Sequence, residues 1–576
     1  MKQLLVMTLV LAGAGAARAG IKDTAHNLSA SGRGPIKAVN ESEICVFCHV
    51  PHPPEGRPAL WSRPLREGLY RPYESSTLRG EVGQPDGASK LCLSCHDGTI
   101  ALGLVQRGGR SRRIELLGAG AGGVMPAGPA NFGTDLRHSH PVSMSTPSGS
   151  TRARKPTGPA IKLDRQHKVQ CTSCHDPHKD DKDPLQRKFL VQSNSYSAVC
   201  LGCHRLRNWS ASTAHQASPR LFPPEAGNHT PYRTVAETGC ESCHKTHSAA
   251  RGARNLKAEE EGTCLTCHAG QVSAMDVTAD FAKPYAHPTL RNPAPVHDAA
   301  EGPHNAERLV PERSPSAPRH AECVDCHDPH AANDRKSKAP GATGALEGVW
   351  GIDRAGLAVE PVRYEYEVCF KCHADSANKP QSFGVAGRRT RRAEQELNLR
   401  LAFDPMGPSA HPVVAPGKNF NVPGLLGGLS VSSQIYCTDC HRSDSGSRAP
   451  HGSIYPFLLE RQYATRDYTA ESPSAYALCY GCHDRQVLLS PASVFPHRQH
   501  VVDASAPCSA CHDAHGVGLA KGSARANAHL ISFDRDIVRN VAKELSYESL
   551  GSGAGLCTLS CHGYQHLKSR YPRVGF

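Results

Sequence analysis

Twenty-four cysteines in this chain fall into twelve close pairs, and a histidine follows each pair at once. The runs are Cys45-Cys48-His49, Cys92-Cys95-His96, Cys171-Cys174-His175, Cys200-Cys203-His204, Cys240-Cys243-His244 and Cys264-Cys267-His268. They continue as Cys323-Cys326-His327, Cys369-Cys372-His373, Cys437-Cys440-His441, Cys479-Cys482-His483, Cys508-Cys511-His512 and Cys557-Cys561-His562. Eleven are spaced C-x-x-C-H, and the last is C-x-x-x-C-H. On a helical turn, residues i, i+3 and i+4 share one face. Two thiols and an imidazole presented together suit covalent capture of haem c: the thiols bond the vinyl groups and the histidine reaches the iron. Zinc ribbons and disulfide frameworks also use paired cysteines, but neither requires a histidine directly after each pair. Twelve covalently attached haems are expected. In the twelfth motif the extra residue rotates the first thiol away from the other two ligands.

A six-coordinate iron needs a second axial ligand. Twelve of the 33 histidines are used, and beyond the leader only Met125, Met144, Met275 and Met406 are available as rivals, so paired histidines are the expected rule. Methionine would raise the potential; two histidines keep it low. Five motifs extend to C-x-x-C-H-x-x-H, adding His52, His178, His247, His330 and His515, and His451 follows His441 in Ala-Pro-His. Axial ligands stand on opposite faces of a ring, so histidines three apart cannot clamp one iron, and each added histidine is expected to reach a neighbouring haem. A second group, His140, His229, His287 and His411, lies near prolines between the paired motifs, with His26 and His500 completing it. His167, His320, His497, His529 and His566 are substitutes. No catalytic triad or paired-carboxylate site stands out.

The elements that must position these groups are unusual. Of 576 residues, 39% are hydrophobic and only 6% aromatic, while Gly (52) and Pro (44) are abundant. That is poor material for large apolar interiors. With about 46 residues per motif, the porphyrins themselves are expected to form most of the core. Short helices at the motifs, long irregular loops and little β-sheet should wrap them. Gly118 to Gly133 and Lys338 to Gly348 read as loops, and Arg391 to Ala402 and Asp536 to Tyr547 as helices.

Residues 1–19 read as an export signal: Lys2, an apolar run from Leu4 to Ala14, and Ala17-Arg18-Ala19 before the cleavage point. No cysteine there carries a lipid, and no second apolar run is long enough to span a membrane. An exported protein is expected: periplasmic, outer-membrane-associated or extracellular. The formal charge of +13 is scattered, its densest run being Arg107 to Arg113, so nucleic acid is not an expected partner. Propionates would offset the excess, bringing the oxidised mature protein to roughly −1.

Odd-numbered motifs resemble C-x-x-C-H-D-P-H and even-numbered ones C-L-x-C-H, which makes six two-haem units. The expected division is 20–136, 137–210, 211–275, 276–395, 396–490 and 491–576. These doubled motifs resemble the multihaem c-type cytochromes, known from bacteria that respire periplasmic or extracellular acceptors. Cys45 to His52 and Cys92 to Thr99 look like that family's first unit, and Leu136 to Val142 like the opening of its next. Cys437, without an immediate H-x-x-H, and the stretched last motif depart from the pattern. The resemblance implies an electron-transfer protein rather than an enzyme: a conduit partnered by other cytochromes and, in an outer membrane, by a β-barrel porin. A filament-forming extracellular cytochrome is the alternative. An oxyanion reductase is less expected, since it needs an open iron and no C-x-x-C-K motif is present.

Overall fold

The computed structural model describes residues 20–51, 58–75, 78, 80–107, 110–146, 153–206, 208–223, 230–250, 253–290, 321–376, 392, 394–420, 422 and 424–572. The leader, His52, His229 and His320 lie outside them. The chain divides into two compact units, one of residues 1–207 and 218–259, the other of 208–217 and 260–576. The first carries the five motifs from Cys45 to His244, and the second the seven from Cys264 to His562.

Both units are mostly loops with short helices and small sheets. The longest helices, Gly87–His96, Glu260–His268 and Glu365–His373, each end on a motif histidine. Most strands are two residues long and pair in twos, and a three-stranded sheet at the C-terminus joins Ser546–Gly551, Ala554–Cys561 and Tyr564–Tyr571. The basic run forms a hairpin, Leu104–Arg107 against Arg110–Arg113, whose second strand is wholly exposed. Apolar clusters hold only three to six buried side chains each, such as Ala38, Phe47, Val105 and Ile114, or Ile352, Tyr366, Phe370, Ala374, Phe403 and Val413.

The two helices expected away from the motifs do not form as such. Among the described residues of Arg391 to Ala402, only Leu399–Ala402 is helical. The Asn398 side chain caps it, accepting from the Arg400 N–H at 3.0 Å, while Arg392 donates to the Ser509 and Ser532 carbonyls. Asp536 to Tyr547 is a run of turns entering the C-terminal sheet. Val538, Val541 and Tyr547 are buried, and Arg539 bridges to Ser560. Tertiary packing overrides helix propensity there.

A candidate chain of haem sites

Eleven motifs begin in a helical turn, in which the histidine N–H bonds back to the carbonyl of the first cysteine, as His49 to Cys45 at 2.8 Å and His441 to Cys437 at 2.9 Å. The residue between the cysteines helps to close the turn. Ser173, Asp325 and Asp439 accept from the backbone N–H of Gln170, Glu322 and Tyr436 at 3.0, 2.8 and 2.9 Å. This is capping-box chemistry on a single turn. It places both sulfurs and the imidazole on one side.

The imidazoles are fixed through Nδ1. A carbonyl can only accept, so Nδ1 carries the proton and Nε2 keeps its lone pair. His49, His96, His175, His244, His327, His441 and His512 donate in this way to the carbonyls of Ala59, Ala130, Lys188, Arg254, Ala345, Phe457 and His529, all at 2.7–2.9 Å. Second-partner bonds of this kind orient metal-ligating histidines. Five of the acceptors, Ala59, Lys188, Arg254, Phe457 and His529, have φ of 54–62°, as do their successors within a few degrees. Left-handed non-glycine residues cost energy and persist only where the surroundings over-determine them. Just beyond, Trp61, Leu190, Leu256, Leu459 and Ile531 bridge back to the motif histidines. This loop is a repeat that the motif pattern alone did not disclose. Its signal is an apolar residue 12 to 19 positions after each of those histidines, preceded by a second apolar residue in four of the five, as in Leu60-Trp61 or Leu458-Leu459.

Nine motif histidines face a second imidazole. Ring centres are 6.1 Å apart for His49 and His178, and 6.2 Å for His96 and His26, His175 and His247, His268 and His215, and His327 and His451. They are 6.0 Å for His204 and His140, 6.3 Å for His373 and His287, 6.5 Å for His483 and His411, and 5.8 Å for His441 and His515. Two imidazole nitrogens each about 2 Å from one ion, with ring centres about 1 Å further out, stand about 6 Å apart, centre to centre. The nine gaps match that distance. Burial lowers His140, His441, His451 and His483 to about 4 and His247 to about 3, with neighbouring imidazoles adding to the shift. These rings are neutral at pH 7, the form that binds metal.

The second imidazoles come in coupled pairs. His26, His215 and His287 donate from Nδ1 to the carbonyls of Pro177, Pro329 and Pro450, each one residue before His178, His330 and His451. His411 does the same to Ala514, before His515. Small ladders lock two of these frames: Ala286 pairs with Gly452, and Ala410 with Gly516. Glycine is needed there. A Cβ at Gly452 would lie 1.8 Å from the Asp280 carbonyl oxygen, and one at Gly516, where φ is +129°, 2.5 Å from that of Ser409.

His215, not singled out from the sequence, therefore stands opposite His268. His330 lies beside Trp209 with ring centres 6.2 Å apart. His497, lowered to about 3 chiefly by burial, lies near His512, whose charge would disfavour its own. His500 faces His566 rather than His562, with ring centres 6.0 Å apart. His562 bonds Asp467 through Nε2 at 2.8 Å.

Four couples of successive motifs, each within one unit, are neighbours in space. Cys92 is hydrogen-bonded to Cys171, Cys200 to Cys240, Cys369 to Cys437 and Cys479 to Cys508, and with burial this holds the first thiol of each couple well above its ordinary pKa. The second unit holds a partly open cavity of about 3220 Å³ lined by residues of all seven of its motifs. A small-molecule pocket is about 300–1,000 Å³, so this space suits a row of large groups where an apolar core would otherwise lie.

Three stretches, residues 166–206, 229–273 and 430–488, match the family model of the doubled CXXCH motif. They contain the motif pairs beginning at Cys171 and Cys200, Cys240 and Cys264, and Cys437 and Cys479. The doubled motifs indicate covalently bound haem c and support a multihaem c-type cytochrome working in electron transfer. No curated protein matches the chain. Among the described residues, no helix is long and apolar enough to cross a membrane.

Proposed function

We propose that this chain is a dodecahaem c-type cytochrome that passes single electrons along a row of low-potential, bis-histidine haems as a periplasmic or outer-membrane conduit in respiration. The observation that carries the reading is the set of nine motif histidines facing a second imidazole across 5.8–6.5 Å. Haem bound at each site would supply one electron per iron. The residues do the rest. Cysteines fix each ring, the motif imidazole and the imidazole facing it hold both axial positions in either redox state, and filled positions leave no room for substrate. The histidine facing a given motif often follows the next-but-one motif: His178 faces His49, His247 faces His175, and His515 faces His441. Each site is thereby crosslinked to others along the row. We assign other redox proteins as donor and acceptor, and a β-barrel porin as sheath if the chain spans an outer membrane. Carbon monoxide added to the fully reduced protein tests the reading. No spectral change is expected, whereas binding at a substantial fraction of the haems would point to open irons and a reductase.

A further inference from the structure

We propose that the iron of the C-terminal haem is held between His500 and His566, and that His562, the histidine of the attachment motif itself, is instead a structural partner of Asp467. The inference rests on the reading of the chain as a multihaem cytochrome and deepens it at one site. Its first ground is the backbone. The other eleven motifs open in a helical turn, but Cys557 and Cys561 lie in the strand Ala554–Cys561. Alternate strand residues face opposite sides, so Cys557, Leu559 and Cys561 share a face. Leu559 is in a buried cluster against which Cys557 and Cys561 pack, together with Cys511, the second cysteine of the preceding motif. His562 follows in the turn with φ of +51°. Without a helical turn, it is not carried onto the face of the two sulfurs.

The second ground is register. The strand Tyr564–Tyr571 pairs with that strand so that His566 lies directly opposite Leu559. Directly opposed residues project to the same side of a sheet. His566 is therefore on the side of the two cysteines.

The third ground is spacing. His500 and His566 stand 6.0 Å apart, within the range of the nine other pairs, and among the ten they alone lack a motif histidine. The Nδ1 of His500 donates to the Pro496 carbonyl at 3.0 Å, leaving Nε2 bare, as at the seven carbonyl-bonded motif histidines and at His26, His215, His287 and His411. Cys557, Cys561, His500, His562 and His566 all line the same cavity. His562 is already engaged: its ring stacks on Tyr468 at 4.3 Å, and its Nε2 is bonded to Asp467. The last attachment sequence thus reads Cys557-x-x-x-Cys561-x-x-x-x-His566, with a β-hairpin doing what a helical turn does elsewhere.

The test uses the full, matured protein and its spin state. In His566→Ala or His500→Ala, about one-twelfth of the haem absorbance should become high-spin, and added imidazole should restore the low-spin spectrum. His562→Gln, which keeps a donor toward Asp467, should leave all haems low-spin. If His566→Ala does not accumulate, His500→Ala reads the same iron from its other side. A high-spin fraction in His562→Gln, with both alanine variants fully low-spin, overturns the assignment. Wild-type protein carrying eleven low-spin haems and an unmodified Cys557 and Cys561 also overturns it, and lowers the haem count by one while leaving the reading as a multihaem electron-transfer cytochrome intact. A preparation without haem would overturn that reading as well.

Discussion

Among the described residues Arg63 is the largest fully buried side chain, and its guanidinium lies close to cysteines of the first two motifs. It donates to the carbonyls of Ser94 at 3.0 Å, Ala101 at 2.9 Å and Leu104 at 3.4 Å, and also to that of Leu102. Its charge is felt at Cys48, Cys95 and His96. A fixed cation favours the reduced, less positive iron, so Arg63→Met should lower the potentials of the haems at Cys45 and Cys92. One charge at about 8 Å with an effective dielectric of about 20 is worth about 2 kcal/mol. For a one-electron couple that is about 90 mV. Two sites in twelve carry about one-sixth of the electrons, so a spectroelectrochemical titration should move by that fraction only. Arg63→Lys keeps the charge and should move it much less. Hydrogen bonds to a charged group contribute about 1.5–3 kcal/mol each, so folding is checked first by the low-spin spectrum. A folded Arg63→Met protein whose titration superimposes on the wild type refutes the reasoning.

His215→Ala should turn about one-twelfth of the haem high-spin, read by visible absorption or electron paramagnetic resonance, and the change should map to the Cys264 haem peptide. Gly452→Ala forces a Cβ onto the Asp280 carbonyl and should disturb the irons served by both His287 and His451, seen as about one-sixth of the haems losing low-spin character. Lys371 is buried, donates to the Asp325 carbonyl and lies 4.6 Å over the Trp350 ring. Lys371→Met should cost about 1.5–3 kcal/mol in denaturant unfolding. Burial raises the Glu365 carboxyl above its ordinary value, against the bonds it accepts from Thr438. The folded state therefore holds that proton more tightly, and the stability it contributes falls as pH rises from the ordinary carboxyl value through the raised one. Glu365→Gln should flatten that part of the pH–stability profile.

The haem chemistry was legible because covalent attachment imposes fixed residue types at fixed spacing. Cys171-Cys174-His175 can be read without any structure, and so can the scarcity of rival ligands. The loop-rich architecture followed from a composition too poor in aromatics to build a large core. Partner histidines were harder, because which imidazole faces which depends on contacts far apart in the chain. His215 sits in Ala-His-Gln with no neighbouring proline or cysteine to mark it, and it is placed by the Pro329 carbonyl 114 residues away. The left-handed loops that fix Nδ1 were also silent, since residues such as Lys188 and Phe457 carry no preference for positive φ. At Asp536 to Tyr547, a mixed run free of glycine and proline predicts a helix, but the segment folds as turns and only Ser546 and Tyr547 join the sheet, paired with Thr558 and Cys557.

The most direct test of the account is the haem content of the purified, matured protein, measured as haemochrome absorbance against protein mass, together with its spin state. The account predicts twelve haems per chain, all low-spin when oxidised. A colourless protein, one with zinc at these cysteines, or one in which most haems are high-spin would contradict it.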